Sequence, residues 1–280
     1  MGLNLLELIK PAVRFRTERI PQAQFGLGES RFGGIPDLPE GFDWPRWKSS
    51  EQHLVLFPPQ REDGSAPLGF LAQLDLQQLP RIDERLPDKG WLYFFFDRHY
   101  EPWGFDPADR GSCRVIYVDG DSANLTPTSP PDDAYPEHIE EACRLETSLQ
   151  LTLPYDLESI DYPSPRFDAY LKLTEELHCP DESPLHHLFG HPQVIQTPME
   201  LECQLASNGI NCGTSEGYQS AEAETLTEGA GDWLLLFQID TDTQGPGWMW
   251  GDAGRLYFWI RKQDLEAHRF EDVWLIFQCG

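Results

Sequence analysis

The sequence predicts a mainly β or α+β protein, in which two pseudo-symmetric antiparallel sheet units from an internal duplication are covered by a few helices. The chain has 280 residues, of which 40% are hydrophobic and 12% aromatic, so it can bury a substantial core. Bulky aromatic residues favour sheets. Short apolar runs bounded by turn residues indicate strands. Two sets of these runs resemble each other, which indicates a repeat.

The N-terminal part is predicted to contain a short helix followed by an ordered loop. Residues 3–10 place their leucines near helical spacing, and Pro11 ends the pattern. Residues 31–45 contain three prolines and four aromatic or leucine residues, including Phe32 and Trp44. Proline and glycine disfavour regular structure, whereas these apolar side chains favour burial. We therefore expect residues 31–45 to form a packed loop.

Six apolar runs are predicted to be strands, three in each half of the chain. They are Leu68–Leu74, Trp91–Phe96 and Arg114–Val118, then Trp233–Ile239, Leu256–Ile260 and Val273–Gln278.

The two sets of strands carry the repeat. Gln73-Leu74-Asp75 matches Gln238-Ile239-Asp240 at an offset of 165 residues, and Gly90-x-Leu-Tyr-Phe94 matches Gly254-x-Leu-Tyr-Phe258 at 164. We predict a single domain over residues 1–280, with one unit at about 66–118 and the second at about 231–278.

The stretch between the units, at about 119–230, is predicted to be a helical, acidic connector. Glu137–Gln150, Arg166–His178 and Met199–Asn208 have compositions typical of helices, and residues 213–232 suggest a mobile loop. Residues 119–254 hold 26 acidic and three basic side chains, which supplies −23 of the net charge of −26. Such a surface repels nucleic acid and attracts basic proteins or divalent cations. Alternatively, the acidic surface only maintains solubility.

Targeting and cysteine patterns favour an ordinary cytoplasmic protein. The N-terminus lacks the apolar segment and cleavage site of a secretion signal, and no apolar run approaches the length that spans a membrane. The six cysteines form no C-x-x-C pair, so we expect free, buried thiols. The glycine-rich phosphate loops and the nucleophile elbow of hydrolases are absent as well. The catalytic residues are therefore unknown, and we assign no cofactor.

Two Gln–Asp pairs, Gln73 with Asp75 and Gln238 with Asp240, are the first candidate for a ligand site. Alternation along a strand places each Gln on the same face as its Asp, with Leu71 or with Leu234 and Leu236. Polar groups at the end of an apolar strand need partners. Either each Asp caps the following turn, or both pairs form the floor of one groove between the units.

Two further clusters offer ligands for a metal. Asp240, Asp242 and Asp252 could bind a hard cation, but the glycines between them also suit a simple turn. His187 and His191 lie in a stretch rich in histidine and cysteine, and both residue types bind transition metals. Gly190 and Pro192 interrupt the helix that would align the two histidines. They are weak candidates, and we assign no metal.

Several motifs in fixed order resemble those of the YwqG-like family of bacterial proteins. They are Arg31-Phe32-Gly33-Gly34, Phe42-x-Trp44-Pro45, Phe70-Leu71-Ala72-Gln73-Leu74-Asp75, His187-x-x-Gly190-His191-Pro192, Glu202-Cys203-Gln204, Trp233-Leu-Leu-Leu-Phe-Gln-Ile-Asp240 and Met249-Trp250-Gly251-Asp252. The resemblance covers nearly the whole chain. It implies a mostly β fold with an internal duplication in the bacterial cytosol. It implies no activity and no catalytic residue.

Two functions remain open from the sequence. The first is a non-catalytic binding or interaction protein with an acidic surface, which recognises a basic protein and neither nucleic acid nor membrane. The alternative is a small-ligand enzyme or hydrolase that uses Asp75, Asp240 or Asp242 in a cleft between the repeats.

Overall fold

A computed structural model describes residues 5–49, 64–135, 140–155, 164–178 and 184–280. Its fold is mainly β, and its largest element is a ten-stranded antiparallel sheet that nearly closes on itself. The strands of the described residues are β1 Lys10–Arg19, β2 Arg31–Phe32, β3 Asp37–Pro39, β4 Arg46–Lys48, β5 Ser65–Pro67, β6 Gly69–Asp75, β7 Trp91–Phe96, β8 Cys113–Val118, β9 Leu125–Pro127, β10 Cys143–Thr152, β11 His186–Phe189, β12 Trp233–Asp240, β13 Arg255–Arg261 and β14 Trp274–Gln278.

Helices are few in the described part of the chain, as the sequence predicts, and only one of them is longer than eight residues. They are α1 Leu5–Leu8, α2 Pro165–His178, α3 Glu200–Ser207, α4 Ser215–Tyr218, α5 Ala221–Leu226 and α6 Lys262–Glu266. In the described part of the chain, none of them combines the length and the apolar character that crossing a membrane requires.

The two predicted sheet units are the two ends of one sheet. Its strand order is β14-β13-β12-β11-β1-β10-β2-β6-β7-β8, so four strands lie between the predicted units. The sequence alone did not identify β1 and β10, which pair over their whole length from Lys10 opposite Thr152 to Arg19 opposite Cys143. The edge strands β8 and β14 approach each other, since Tyr117 packs on Phe270 just before β14.

The helix predicted over residues 137–150 is wrong. Residues 143–152 form β10, and residues 137–139 lie outside the described part of the chain. The segment CRLETSLQLT alternates apolar and polar side chains, which is the two-residue period of a strand. The connector at 119–230 thus supplies strands as well as the helices α2 to α5.

The central core fills the inner side of the curved sheet with aromatic rings. Phe94 from one end of the sheet packs edge-on against Phe237 and Phe258 from the other end, with ring centroids 4.8 and 5.3 Å apart. Phe15 of β1 also contacts Phe237, at 5.7 Å. Aromatic pairs in this geometry add about 0.5–1.5 kcal/mol each to the burial of their surface. The core therefore ties both ends of the sheet together.

Each end of the sheet has its own cover on the outer side. The stretch 31–45, predicted to be a packed loop, also contains the short strands β2 and β3, and Leu38 of β3 lies with Trp47 and Leu125 over β6 and β7. The helices cover the other end, where Cys203 of α3 and Ala223 of α5 are buried against the outer faces of β12 and β13.

Residues 213–232 were expected to form a mobile loop, and that expectation is wrong. They form α4, α5 and a 3-10 turn over Thr227–Asp232. The Ser220 hydroxyl caps α5 by accepting a hydrogen bond from the Ala223 amide at 3.1 Å. Glutamates in the first turn of α5 also favour the helix. The polar composition of residues 213–232 is that of surface helices, whose few apolar residues face the core.

The expectation of free, buried thiols is confirmed for the five described cysteines. Cys113, Cys143, Cys203, Cys212 and Cys279 are buried and form no disulfide. Burial raises the pKa of Cys113 and of Cys143 to about 12, so both remain protonated and unreactive at neutral pH. Cys179 lies outside the described residues.

Candidate functional site

Gln73 of β6 holds two neighbouring backbone segments, at Glu29 before β2 and at Asp37 at the start of β3. Its side-chain oxygen accepts a hydrogen bond from the Asp37 amide at 2.7 Å, and its Nε2 donates to the Glu29 carbonyl at 3.1 Å. Tyr93, opposite Gln73 on β7, donates its hydroxyl to the Asp37 carbonyl at 2.6 Å. The fully buried amide thus satisfies one backbone donor, at Asp37, and one backbone acceptor, at Glu29.

Gln238 makes the same arrangement at the other end of the sheet. Its Oε1 accepts from the Gln193 amide at 2.8 Å, and its Nε2 donates to the Leu185 carbonyl at 2.7 Å. Tyr257, opposite Gln238 on β13, donates to the Gln193 carbonyl at 2.6 Å. We call these two arrangements, Gln73 with Tyr93 and Gln238 with Tyr257, the Gln–Tyr clamps.

The aspartates of the two pairs are held by different partners. Asp75 accepts from the Gln77 amide at 3.0 Å and from Gln78 Nε2 at 2.7 Å, so it caps the turn that follows β6. Asp240 accepts from the Leu185 amide at 2.8 Å and forms an ion pair with Arg255 at 2.8 Å. The predicted cap is therefore present at Asp75, whereas Asp240 anchors the residue before β11.

The two Gln–Asp pairs do not meet in one groove. Four strands separate β6 from β12 in the sheet, and both pairs lie on its outer side. Each Gln does share a face with its Asp. The leucines do not, because a register shift at Leu71 and at Leu236 turns those two side chains into the central core. Ligand binding by these four residues stays a prediction.

Asp242 lies in a different setting, at a pocket of about 210 Å³ beside the middle of the sheet. Its side chain is 2% exposed. It accepts hydrogen bonds from the Thr17 hydroxyl at 2.6 Å and the Gly245 amide at 2.6 Å. His186 Nε2 lies 3.4 Å from the same carboxylate. These side chains all line the pocket, and we call it the Asp242 pocket.

The hydrogen bonds fix both the charge of Asp242 and the tautomer of His186. The Asp240 amide donates to His186 Nδ1 at 3.1 Å, so the ring carries a proton on Nε2 and points it at Asp242. Burial alone would raise the pKa of Asp242, but the bonds from His186, Thr17 and Gly245 outweigh it and lower the pKa to about 2. The pocket therefore holds a carboxylate that is ionised at neutral pH.

The predicted three-carboxylate cluster is not assembled. Asp240 and Asp242 point to separate partners, and Asp252 lies in the exposed turn before β13. Within the ranges that the structure describes, no group of three or more His, Cys, Asp or Glu residues is placed to hold a metal ion.

His187 and His191 both serve the fold. His187 Nδ1 donates to the Phe189 carbonyl at 2.7 Å, and His191 Nε2 lies 2.7 Å from the Leu8 carbonyl. Burial lowers the pKa of His187 to about 3 and that of His191 to about 4. Both rings are neutral at physiological pH.

Sequence reasoning named Asp242 but not its partners Thr17 and His186. Thr17 lies on β1, which the sequence did not reveal, and it bonds Asp242 across 225 residues of chain. His186 belonged to the recognised histidine stretch, yet only the sheet register shows that it approaches Asp242. The spacing Asp242-x-x-Gly245 was the available local signal, since it allows the side chain to bond the amide three residues on.

These features define a class: a mainly β protein with one nearly closed antiparallel sheet, whose Gln–Asp pairs bond the neighbouring loops and turns and whose buried Asp242 carboxylate lines a pocket beside the central strands. Residues 30–279 match the family model described as a domain of unknown function (DUF1963), so the chain belongs to that family. No curated protein matches the chain.

Proposed function

We propose that the protein is a non-catalytic binding or interaction protein whose acidic surface attracts a basic protein partner. The observation that carries the proposal is an exposed acidic layer on α4, α5 and the turn after them. The layer consists of Glu216, Glu222, Glu224 and Glu228, all of which are exposed. None of the ion pairs between described residues involves these four carboxylates.

Lys262, the basic residue near this layer, does not pair with its glutamates. Lys262 directs its ammonium group to the Gly231 carbonyl at 2.7 Å rather than to a glutamate of the acidic layer. Exposed like charges raise the local potential and speed the approach of an oppositely charged partner. Such attraction is screened over about 8 Å at physiological ionic strength. Binding should therefore weaken steeply with added salt.

The test uses a model peptide rich in lysine and arginine and measures its capture by the immobilised protein at low and high salt. The triple variant Glu222→Gln, Glu224→Gln, Glu228→Gln should lose most of the capture. A matched control, Glu18→Gln, Glu40→Gln, Glu84→Gln, removes the same charge from exposed sites elsewhere and should lose little. Equal losses would show that only net charge matters, and absence of capture at low salt would refute a basic partner.

A small-ligand enzyme or hydrolase is the second candidate, and the Asp242 pocket favours it. A buried, ionised carboxylate beside a histidine and a threonine is suited to hold or polarise a small ligand. Asp242→Asn should abolish any ligand-induced rise in unfolding temperature and any turnover, whereas Asp252→Asn, at the exposed turn, should not. Unchanged ligand effects in Asp242→Asn would exclude this pocket.

We also propose that the chain is YwqG-like and belongs to a bacterial cytosol. The ordered motifs from Arg31-Phe32-Gly33-Gly34 to Met249-Trp250-Gly251-Asp252 support this finer assignment.

An internal duplication is proposed for the same chain, and its support extends beyond the strands. Gln193 and Leu185, the partners of Gln238, each follow the partners of Gln73 by the same 156 residues. The β6–β7 and β12–β13 pairs share one register and one irregularity, at Leu71 and at Leu236. A structural comparison of residues 29–96 with residues 185–260 tests the duplication. Superposition of the two Gln–Tyr clamps is expected.

A further inference from the structure

We propose that an aromatic pocket at the edge of β14 receives a lysine or arginine side chain of the basic partner; this inference rests on the proposed function. The pocket has a volume of about 570 Å³ and is separate from the Asp242 pocket. Its walls include Tyr100, Trp103 and Phe105, and its polar lining includes Asp106 and Asp109. We call it the Trp103 pocket.

Trp103 is exposed and yet firmly held. Its side chain is 43% exposed, which is unusual for an indole ring in a chain that buries most of its tryptophans. One ring face stacks on Phe277 of β14, with centroids 4.8 Å apart and planes 15° from parallel. Its carbonyl accepts a hydrogen bond from the Phe277 amide at 3.0 Å. The other parts of the ring remain available to a ligand.

Gly104 allows the Trp103 segment to lie this close to the sheet. It has a φ of +83°, and a Cβ at this position would lie 1.9 Å from the Leu275 carbonyl oxygen. The Gly104 carbonyl accepts from the Trp274 indole at 2.9 Å. Because both sides of the segment are fixed, binding would not have to order the aromatic wall, and the entropic cost is small.

The two carboxylates are oriented by backbone and amide donors. Asp106 accepts from the Ala108 amide at 2.8 Å and from Asn211 Nδ2 at 2.7 Å. Asp109 accepts from the Gly104 amide at 2.9 Å. A carboxylate offers about four acceptor positions, so these bonds position Asp106 without exhausting it. The described lining contains no Lys, Arg or His, so no base of that lining offsets the Asp106 carboxylate.

Aromatic faces beside carboxylates select a cation with an apolar stem. A lysine or arginine side chain can place its methylenes on the Trp103 ring and its charged end near Asp106. The same chain already uses this interaction internally, because Arg98 lies 4.7 Å from the Trp250 ring and Arg261 lies 4.8 Å from Trp233. Anions are disfavoured, and neutral ligands gain nothing from the Asp106 charge.

Small peptides provide a direct test. The affinity of the protein for acetyl-Gly-Lys-Gly-amide and acetyl-Gly-Arg-Gly-amide would be measured by calorimetry or NMR, with acetyl-Gly-Gln-Gly-amide as the neutral probe. We expect the cationic probes to bind and the neutral probe not to. Trp103→Leu and Asp106→Asn should each weaken binding by about threefold to thirtyfold. Met249→Leu alters an equally exposed apolar residue outside the pocket and should change nothing.

Thermal unfolding of each variant confirms that the fold is intact, and Trp103→Leu alone decides the question if Asp106→Asn unfolds. Equal binding of the glutamine probe, or unchanged affinity in Trp103→Leu, would overturn the inference. If the lysine-rich peptide is captured in a salt-dependent way but equally well by Trp103→Leu, the pocket assignment fails while the proposed function stands. If wild type captures no basic peptide at any salt, the proposed function itself fails.

Discussion

At the residue scale, glutamine is the side chain that both Gln–Tyr clamps require. Its amide presents a donor and an acceptor on one flat group, and at Gln73 and Gln238 it bonds one amide and one carbonyl of a neighbouring loop. A carboxylate could accept but not donate, and an apolar residue could do neither. The glutamine of the motif Gln-(Leu/Ile)-Asp is thus explained by the hydrogen bonds that it forms with backbone amide and carbonyl groups near each end of the sheet.

Replacing either glutamine tests this explanation. Gln73→Leu and Gln238→Leu each leave one buried amide and one buried carbonyl without a partner, at about 1–3 kcal/mol for each group. We expect each variant to lose about 2–4 kcal/mol of the free energy of unfolding, measured by urea denaturation. Gln77→Leu, at an exposed position, serves as the control and should lose under about 0.5 kcal/mol. If Gln73→Leu also lost under about 0.5 kcal/mol, water would have to bond the two backbone groups in place of the glutamine amide.

At the scale of elements, the sequence predicts the strands that are apolar on both faces and misses those that are not. Trp91–Phe96 is buried along its whole length and was found. β1 and β10 form the middle of the sheet, but both carry exposed polar side chains within the strand, such as Arg16 and Glu146, which lie opposite each other. Because of these polar residues, the sequence patterns of β1 and β10 resemble those of a surface helix or of a chain terminus. Only pairing between distant segments identifies them as strands.

The residues of the candidate site also divide into those whose role the sequence predicts and those whose role it does not. Asp75 could be assigned a structural role because its neighbours in sequence suggested a cap, whereas Leu185 and Arg255, which hold Asp240, lie far from it in sequence. The Asp242 pocket and the Trp103 pocket combine residues from distant segments, such as Thr17 with Asp242 and Asp106 with Asn211. Spacing within one segment carries no information about such encounters.

The turns after β2 and β11 offer a prediction about these elements. Gly34 and Gly190 have φ values of +68° and +76°, and a Cβ there would lie 2.6 Å from the Cβ of Ala142 and 2.9 Å from that of Ala12. Gly41 has a φ of +75° but open space around it. Gly41→Ala should cost about 1 kcal/mol for the backbone conformation alone. Gly34→Ala and Gly190→Ala should cost clearly more in chemical denaturation, because β1 and β10 must also move.

Equal losses in all three alanine variants would contradict this reading. They would show that the backbone conformation accounts for the lost stability and that the added Cβ atoms do not displace the central strands.

At the scale of the whole molecule, stability should depend on pH through buried histidines. His187 is 2% exposed, and burial is the main cause of its lowered pKa of about 3. The pKa of His191 is lowered to about 4 for the same main reason. Asp97 acts in the opposite direction, because burial raises its pKa to about 6. His187 and His191 thus oppose protonation of the folded chain in acid, and Asp97 favours it.

The sign follows from the histidine pKa values in the two states. The unfolded chain protonates His187 near pH 6.5, whereas the folded chain does not until about pH 3. The stabilisation is therefore complete above pH 6.5 and is lost progressively as the pH falls towards 3. Between pH 7 and pH 5, His187 alone should account for about 2 kcal/mol of lost unfolding free energy. Urea denaturation at both pH values should show a loss in wild type that exceeds the loss in His187→Gln by this amount. The exposed His268→Gln control should keep the wild-type difference, and a wild-type difference in His187→Gln as well would show that this histidine is protonated in the folded protein.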